Sequence, residues 1–96
     1  MKTPVSRVAI GTGAITPFVH MISAYDIDLI ICADDGFWYG HDGALAQDTG
    51  FPVIIANHGV SEIPGMKRFA DVLAKAYPEL PVHFIEQSCT YRLVEA

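Results

Sequence analysis

The sequence predicts an α/β domain with three layers, a mainly parallel or mixed sheet, and helices on both faces. Three observations predict it. Short apolar runs rich in β-branched residues alternate with helix-like segments. The runs are apolar at successive rather than alternate positions, as strands covered on both faces are. Glycines and prolines flank the runs, which favours strands where periodicity alone cannot separate them from buried helix. The chain has 96 residues, so one domain over 1–96 is expected.

The elements follow in order. Val5 to Ile10 is a short β-rich run ending in Gly11, Thr12 and Gly13. Thr16 and Pro17 then read as N-cap and first helical residue. A mostly apolar helix from Pro17 to about Ala24 follows. Leu29 to Ala33 is the second strand, continuous in its hydrophobicity. Gly36 to Gly43 is rich in glycine and aromatics and reads as a loop. A short helix from about Asp42 to Asp48 stops at Gly50. Pro52 to Ala56 is the third strand. The helix after Ser61 is the clearest element. Met66, Phe69, Ala70, Leu73, Ala74 and Tyr77 share one face of it, and Pro78 ends it. Pro81 to Ile85 is expected as a fourth strand and Tyr91 to Val94 as a short edge strand.

Composition narrows the function. Hydrophobic residues make up 51% and charged residues 18%, against about 25% charged in an ordinary globular domain. So much apolar surface on so small a chain predicts that it meets another copy or another domain, with a homo-oligomer favoured. The net charge is −5, and no basic stripe exists to track a phosphate backbone, so nucleic acid is not an expected partner. No apolar run approaches membrane-spanning length, and Met1 to Arg7 lacks the apolar core of a signal peptide. Cys32 and Cys89 are too few for a disulfide framework. Cys32 sits in an apolar run, as a small buried hydrophobe does. These features together predict a cytoplasmic protein.

Polar and glycine-rich clusters follow three of the expected strands. In a parallel sheet the strand C-termini lie on one side, where ligands of open α/β sheets bind. Gly11 to Thr16 reads either as an anion cradle or as a tight strand-to-helix turn. Its spacing matches neither a dinucleotide fingerprint nor a P-loop. On the cradle reading Gly11, Thr12 and Gly13 bind substrate. In the second cluster, Asp34 and Asp35 precede Phe37, Trp38, Tyr39 and His41. That aromatic density suits either the wall of a pocket for a flat ring, with Trp38 as substrate contact, or a subunit interface. In the third, His58 and Glu62 are four residues apart, one helical turn. Imidazole and carboxylate together suit zinc, manganese or iron. His58 could equally close the strand end, and Glu62 could complement a helix dipole. Two ligands do not hold a metal tightly, so Asp34, Asp35 or His41 are candidates for more. His20 and His83 read as structural.

Asn57, His58, Gly59, Val60, Ser61, Glu62, Ile63, Pro64 and Gly65 resemble the C-terminal signature of the Nif-three-like family. These are dinuclear-metal, ring-forming proteins also labelled type-two homologues of GTP cyclohydrolase one. The signature runs Gly-His-x-x-Ser-Glu-x-Pro-Gly, then an amphipathic helix that ends at a proline. The family's Gly-Gly-x-Gly turn is similar to Gly11 to Gly13. Its His-Asp-Ala-Leu helix start is similar to His41, Asp42, Gly43, Ala44 and Leu45, with the same interval to Gly50. The resemblance covers nearly the whole chain, as the C-terminal half of a typical member. The family's Thr-Gly-Asp reads Ala33, Asp34 and Asp35 here, with a longer interval before His41.

The resemblance implies His58 and Glu62 as metal ligands and a divalent cation, Zn, Mn or Fe, as cofactor. The family's other ligands, two adjacent histidines and an aspartate, belong to its N-terminal half. A neighbouring copy or a separate chain is therefore expected to complete the site. The expected function is a metal-dependent hydrolase acting on a nucleotide or pterin-like small molecule. Asp35 and His41 are its candidates for general acid/base work. The alternative is a non-catalytic oligomeric binding or scaffold module with an incomplete metal site.

Overall fold

The computed structural model describes residues 4–15 and 18–95. The expected capping pair Thr16 and Pro17 lies outside them. The chain divides into two units, Met1–His58 and Gly59–Ala96.

The first unit is a β-α-β-α-β run. Its strands are β1 (Val8–Ile10), β2 (Leu29–Ala33) and β3 (Val53–Ala56). Its helices are α1 (Phe18–Ala24) and α2 (Ala44–Thr49). The strands lie in the order β1-β2-β3, and both pairings are parallel. The α/β class with a parallel sheet is therefore the architecture of this chain.

The register follows from side-chain alternation. Ile30 and Cys32 lie two apart on β2 and are both buried. With Phe18 of α1 and Phe37 they form the core, and Ala9, Met21, Ile22, Leu45, Ala46, Phe51, Val53 and Ile55 pack around it. Residues of α1 and α2 thus meet the sheet face that carries Ile30 and Cys32. The rings of Phe37 and Phe51 meet Phe18 edge-to-face, with centroids 5.5 and 6.1 Å away. On the other parity of β1 and β3, Val8, Ile10 and Ile54 are exposed.

Local chemistry sets the boundaries. Asp28 ties the start of β1 to the approach to β2: its Oδ2 accepts from the Ser6 and Arg7 backbone N–H groups and the Ser6 hydroxyl, at 2.9 to 3.0 Å. These bonds to the ionised form hold the Asp28 carboxyl below its ordinary range, the Ser6 backbone N–H first among them. At the end of α2, Gly50 takes the left-handed conformation at φ 67°. The Phe51 and Gly50 N–H groups then bond to the carbonyls of Ala46 and Gln47. That is a Schellman closure, and it is the stop expected at Gly50.

The segment Tyr39–Gly43 forms a π-helical turn before α2. The Trp38 carbonyl accepts from the N–H groups of His41, Asp42 and Gly43, and the Trp38 N–H donates to Asp42 Oδ2 at 2.8 Å. The loop expected from Gly36 to Gly43 is therefore hydrogen-bonded to itself.

The helix α3 spans His58–Ala76, and all of it but His58 belongs to the second unit. It begins four residues before the start expected after Ser61 and carries Pro64 inside it. Glu62 therefore lies beyond the first turn, where the attraction of a carboxylate to the helix dipole has fallen off. The expected strands at 81–85 and 91–94 are not strands; both stretches are irregular. Strand preference expresses packing against cross-strand neighbours. Neither stretch has a strand partner among the described residues, and Ile85, Leu93 and Val94 are about nine-tenths exposed, at 87, 90 and 86%. No described residue of the second unit is buried. No helix among the described residues is long and apolar enough to cross a membrane.

Candidate functional site

Register builds the site. Ala33 of β2 stands beside Ala56 of β3, the last pair of that ladder. Both strands run the same way, so the next residues emerge side by side: Asp34 with Asn57, and Asp35 with His58. The Asn57 side-chain amide donates to Asp34 Oδ2 at 2.8 Å. The His58 backbone N–H donates to Asp34 Oδ1 at 3.1 Å. His58 Nδ1 lies 2.8 Å from Asp35 Oδ2.

The two adjacent aspartates thus do different things. Asp34 satisfies the first N–H of α3 with an anion, in the manner of an N-cap supplied from a neighbouring strand end. Its carboxyl is held below the ordinary range, chiefly by the Asn57 amide and next by the His58 N–H. Asp35 takes the imidazole. Both Asp35 and His58 are a little over one-third exposed, at 38 and 37% of the side chain, so a ligand can reach them.

The turn after β1 joins them. Gly13 has φ +57°, a conformation that L side chains rarely adopt. A Cβ there would lie 3.5 Å from both Cε1 and Nε2 of His58. The turns that follow all three strands therefore meet at His58. The chemistry gathered is one imidazole, two carboxylates and an amide against a glycine turn.

The other expected residues lie as follows. Gly11 donates its N–H to the Ile31 carbonyl at 2.9 Å, extending the sheet, and Thr12 is exposed. His41 has partners of its own: Nδ1 lies 3.0 Å from Asp42 Oδ1, and its ring stacks on Trp38 with a centroid distance of 6.1 Å and 28° between planes. Trp38 is 74% exposed, while Phe37 beside it is buried and anchors the loop. Glu62 belongs to the second unit, where it helps line a cleft of about 600 Å³ with Met66, Phe69, Leu73, Phe84 and Ile85. His20 and His83 are exposed; the ring of His20 meets Tyr25 edge-on. Among the described residues, no three His, Cys, Asp or Glu side chains are grouped so as to hold a metal ion.

Sequence reasoning did not find the Asp35–His58 pair or the Asn57–Asp34 bond. These partners are 23 residues apart. The signal that finds them is the β2–β3 ladder, once its register is known.

The family model described as Duf34/NIF3 (NGG1p interacting factor 3) matches residues 1–90. No curated protein and no solved structure matches the chain.

Proposed function

The chain belongs to the Duf34/NIF3 family, and from that premise we propose that it is a metal-binding domain serving a metal-dependent hydrolase. The substrate proposed is a nucleotide or pterin-like small molecule. The observation that carries this reading is His58, clamped where the three strand-end turns meet, with Asp35 on Nδ1 and Gly13 beside Nε2.

The donor types fit a divalent cation such as Zn, Mn or Fe: imidazole and carboxylate are its common ligands. The donor number falls short of a closed site within the described residues. The reading therefore gives this chain His58 and Glu62 as ligands and draws the rest from a neighbouring copy or a separate chain. The cation, when bound, supplies Lewis-acid polarisation of a substrate oxygen. The chain's own residues bind and orient. Gly13 lies beside the His58 ring, Gly11, Thr12 and Gly13 are its proposed substrate contacts, and Trp38 offers an aromatic face to a flat ring. His41, paired with Asp42, is a candidate proton carrier. A homo-oligomer in the cytoplasm is part of the same proposal.

A second reading is a non-catalytic binding or scaffold module. Two findings favour it: the short ligand count among the described residues and the exposed apolar residues of β1 and β3. Metal analysis of the purified protein and its variants separates the two. The hydrolase reading expects about one or two equivalents of Zn, Mn or Fe per chain. It also expects loss of metal in His58→Ala and Glu62→Ala, and turnover in a screen of nucleotides. Metal content and turnover unchanged in both variants would overturn it.

A further inference from the structure

We infer that Asp35 is the positioning residue of His58: it fixes the ring's tautomer and aims Nε2 at the Gly13 turn, without acting on substrate. This changes the role expected of Asp35, which was general acid/base work.

An ionised carboxylate only accepts, so the imidazole nitrogen 2.8 Å from Asp35 Oδ2 carries the proton. In the neutral ring, Nδ1 is then the donor and Nε2 the acceptor. A metal-ligating histidine commonly gives its second N–H to a carboxylate, which sets ring orientation and raises ligand basicity. Geometry adds a second constraint. The His58 backbone N–H is held by Asp34 Oδ1 at 3.1 Å, and the ring by Asp35. Adjacent residues of one strand end thus fix both the main chain and the side chain of His58. Capping α3 requires only the first of these bonds.

Gly13 completes the arrangement. It sits where a Cβ would be 3.5 Å from Nε2 and Cε1, at a φ that a side chain would strain. The ring edge opposite Asp35 is therefore met by bare backbone. The consequence for metal affinity rests on the function proposed above; the tautomer does not.

The test is long-range ¹H–¹⁵N correlation of the imidazoles in the metal-free full chain, at a pH well above the ordinary imidazole range. His58 is assigned by the signal lost in His58→Gln. The expected result is a His58 ring protonated on Nδ1 in the wild type. Asp35→Ala shifts it to the Nε2–H form, and Asp35→Asn, whose amide oxygen still accepts, keeps the Nδ1–H form. Zinc titration of the same proteins is expected to show about 10- to 100-fold weaker binding in Asp35→Ala, at unchanged stoichiometry. An Nδ1–H tautomer in a wild-type protein that takes up no zinc would uphold the role of Asp35 and sink the metal reading alone. A wild-type His58 protonated on Nε2, or a tautomer unmoved in a folded Asp35→Ala, would overturn the inference.

Discussion

The two units of the chain use apolar residues in opposite ways. In Met1–His58, Phe18, Ile30, Cys32 and Phe37 are buried against one sheet face. In Gly59–Ala96, the stripe of Met66, Phe69 and Leu73 on α3 lines an open cleft, and nothing described there is buried. Both units carry the sequence pattern of a core. Among the described residues, only the first has parallel strands to close it. Periodicity specifies which side of an element is apolar; burial needs a second element in the right register. The site follows the same division, since the Asp35–His58 pair is held by the ladder of the first unit.

Core substitutions should show the contrast most strongly. Ile30 is fully buried, so Ile30→Ala should lower unfolding free energy by about 2–5 kcal/mol. Phe69 is 54% exposed, and Phe69→Ala should change it by only about 0.5 kcal/mol. Urea denaturation measures both. Equal losses would mean that the second unit buries its stripe in solution.

Thiol reactivity gives an independent reading of the same contrast. Cys32 is buried and Cys89 exposed, and both are free. Burial, and next the charge of Asp42, raises the Cys32 pKa, which further lowers its thiolate fraction. Under native conditions one thiol per chain should react promptly with Ellman's reagent and the second only on unfolding. Prompt reaction of both would break the comparison.

A smaller effect concerns acid stability. The Asp28 pKa is lowered in the folded protein, first by the Ser6 backbone N–H. A lowered carboxyl stabilises fully above its ordinary pKa, and that contribution is lost as pH falls through the folded value. Asp28→Ala should therefore lower Tm near neutral pH, and the gap to wild type should close as the pH is taken below the ordinary Asp range. A gap independent of pH would mean that the bonds to Ser6 and Arg7 do not act through the charge. The exposed Arg7–Asp26 ion pair, at 2.6 Å, should matter least. Arg7→Ala is expected to cost no more than about 1 kcal/mol, and less in high salt.

What was legible in the sequence divides along the same line. The first three apolar runs became parallel strands, because each is flanked by turn residues and closely follows or precedes a helix that can cover it. Gly50 was legible as a stop because the left-handed position at the end of α2 asks for glycine. The stretches at 81–85 and 91–94, where strands are expected, are irregular. Val82, Phe84, Tyr91 and Val94 have strand preference, yet that preference has no force without a partner strand. Within the site, the meeting of three strand-end turns followed from parallel topology, whereas which carboxylate meets which atom of His58 depended on register. A shift of one residue in the β2–β3 ladder would set Asp34 in place of Asp35 beside His58.

The most direct test of the account is anomalous scattering from zinc-soaked crystals of the full chain. The account predicts a metal bonded to His58 Nε2, with Asp35 on the opposite nitrogen. A metal bound elsewhere, or none at His58 under saturating zinc, would contradict it.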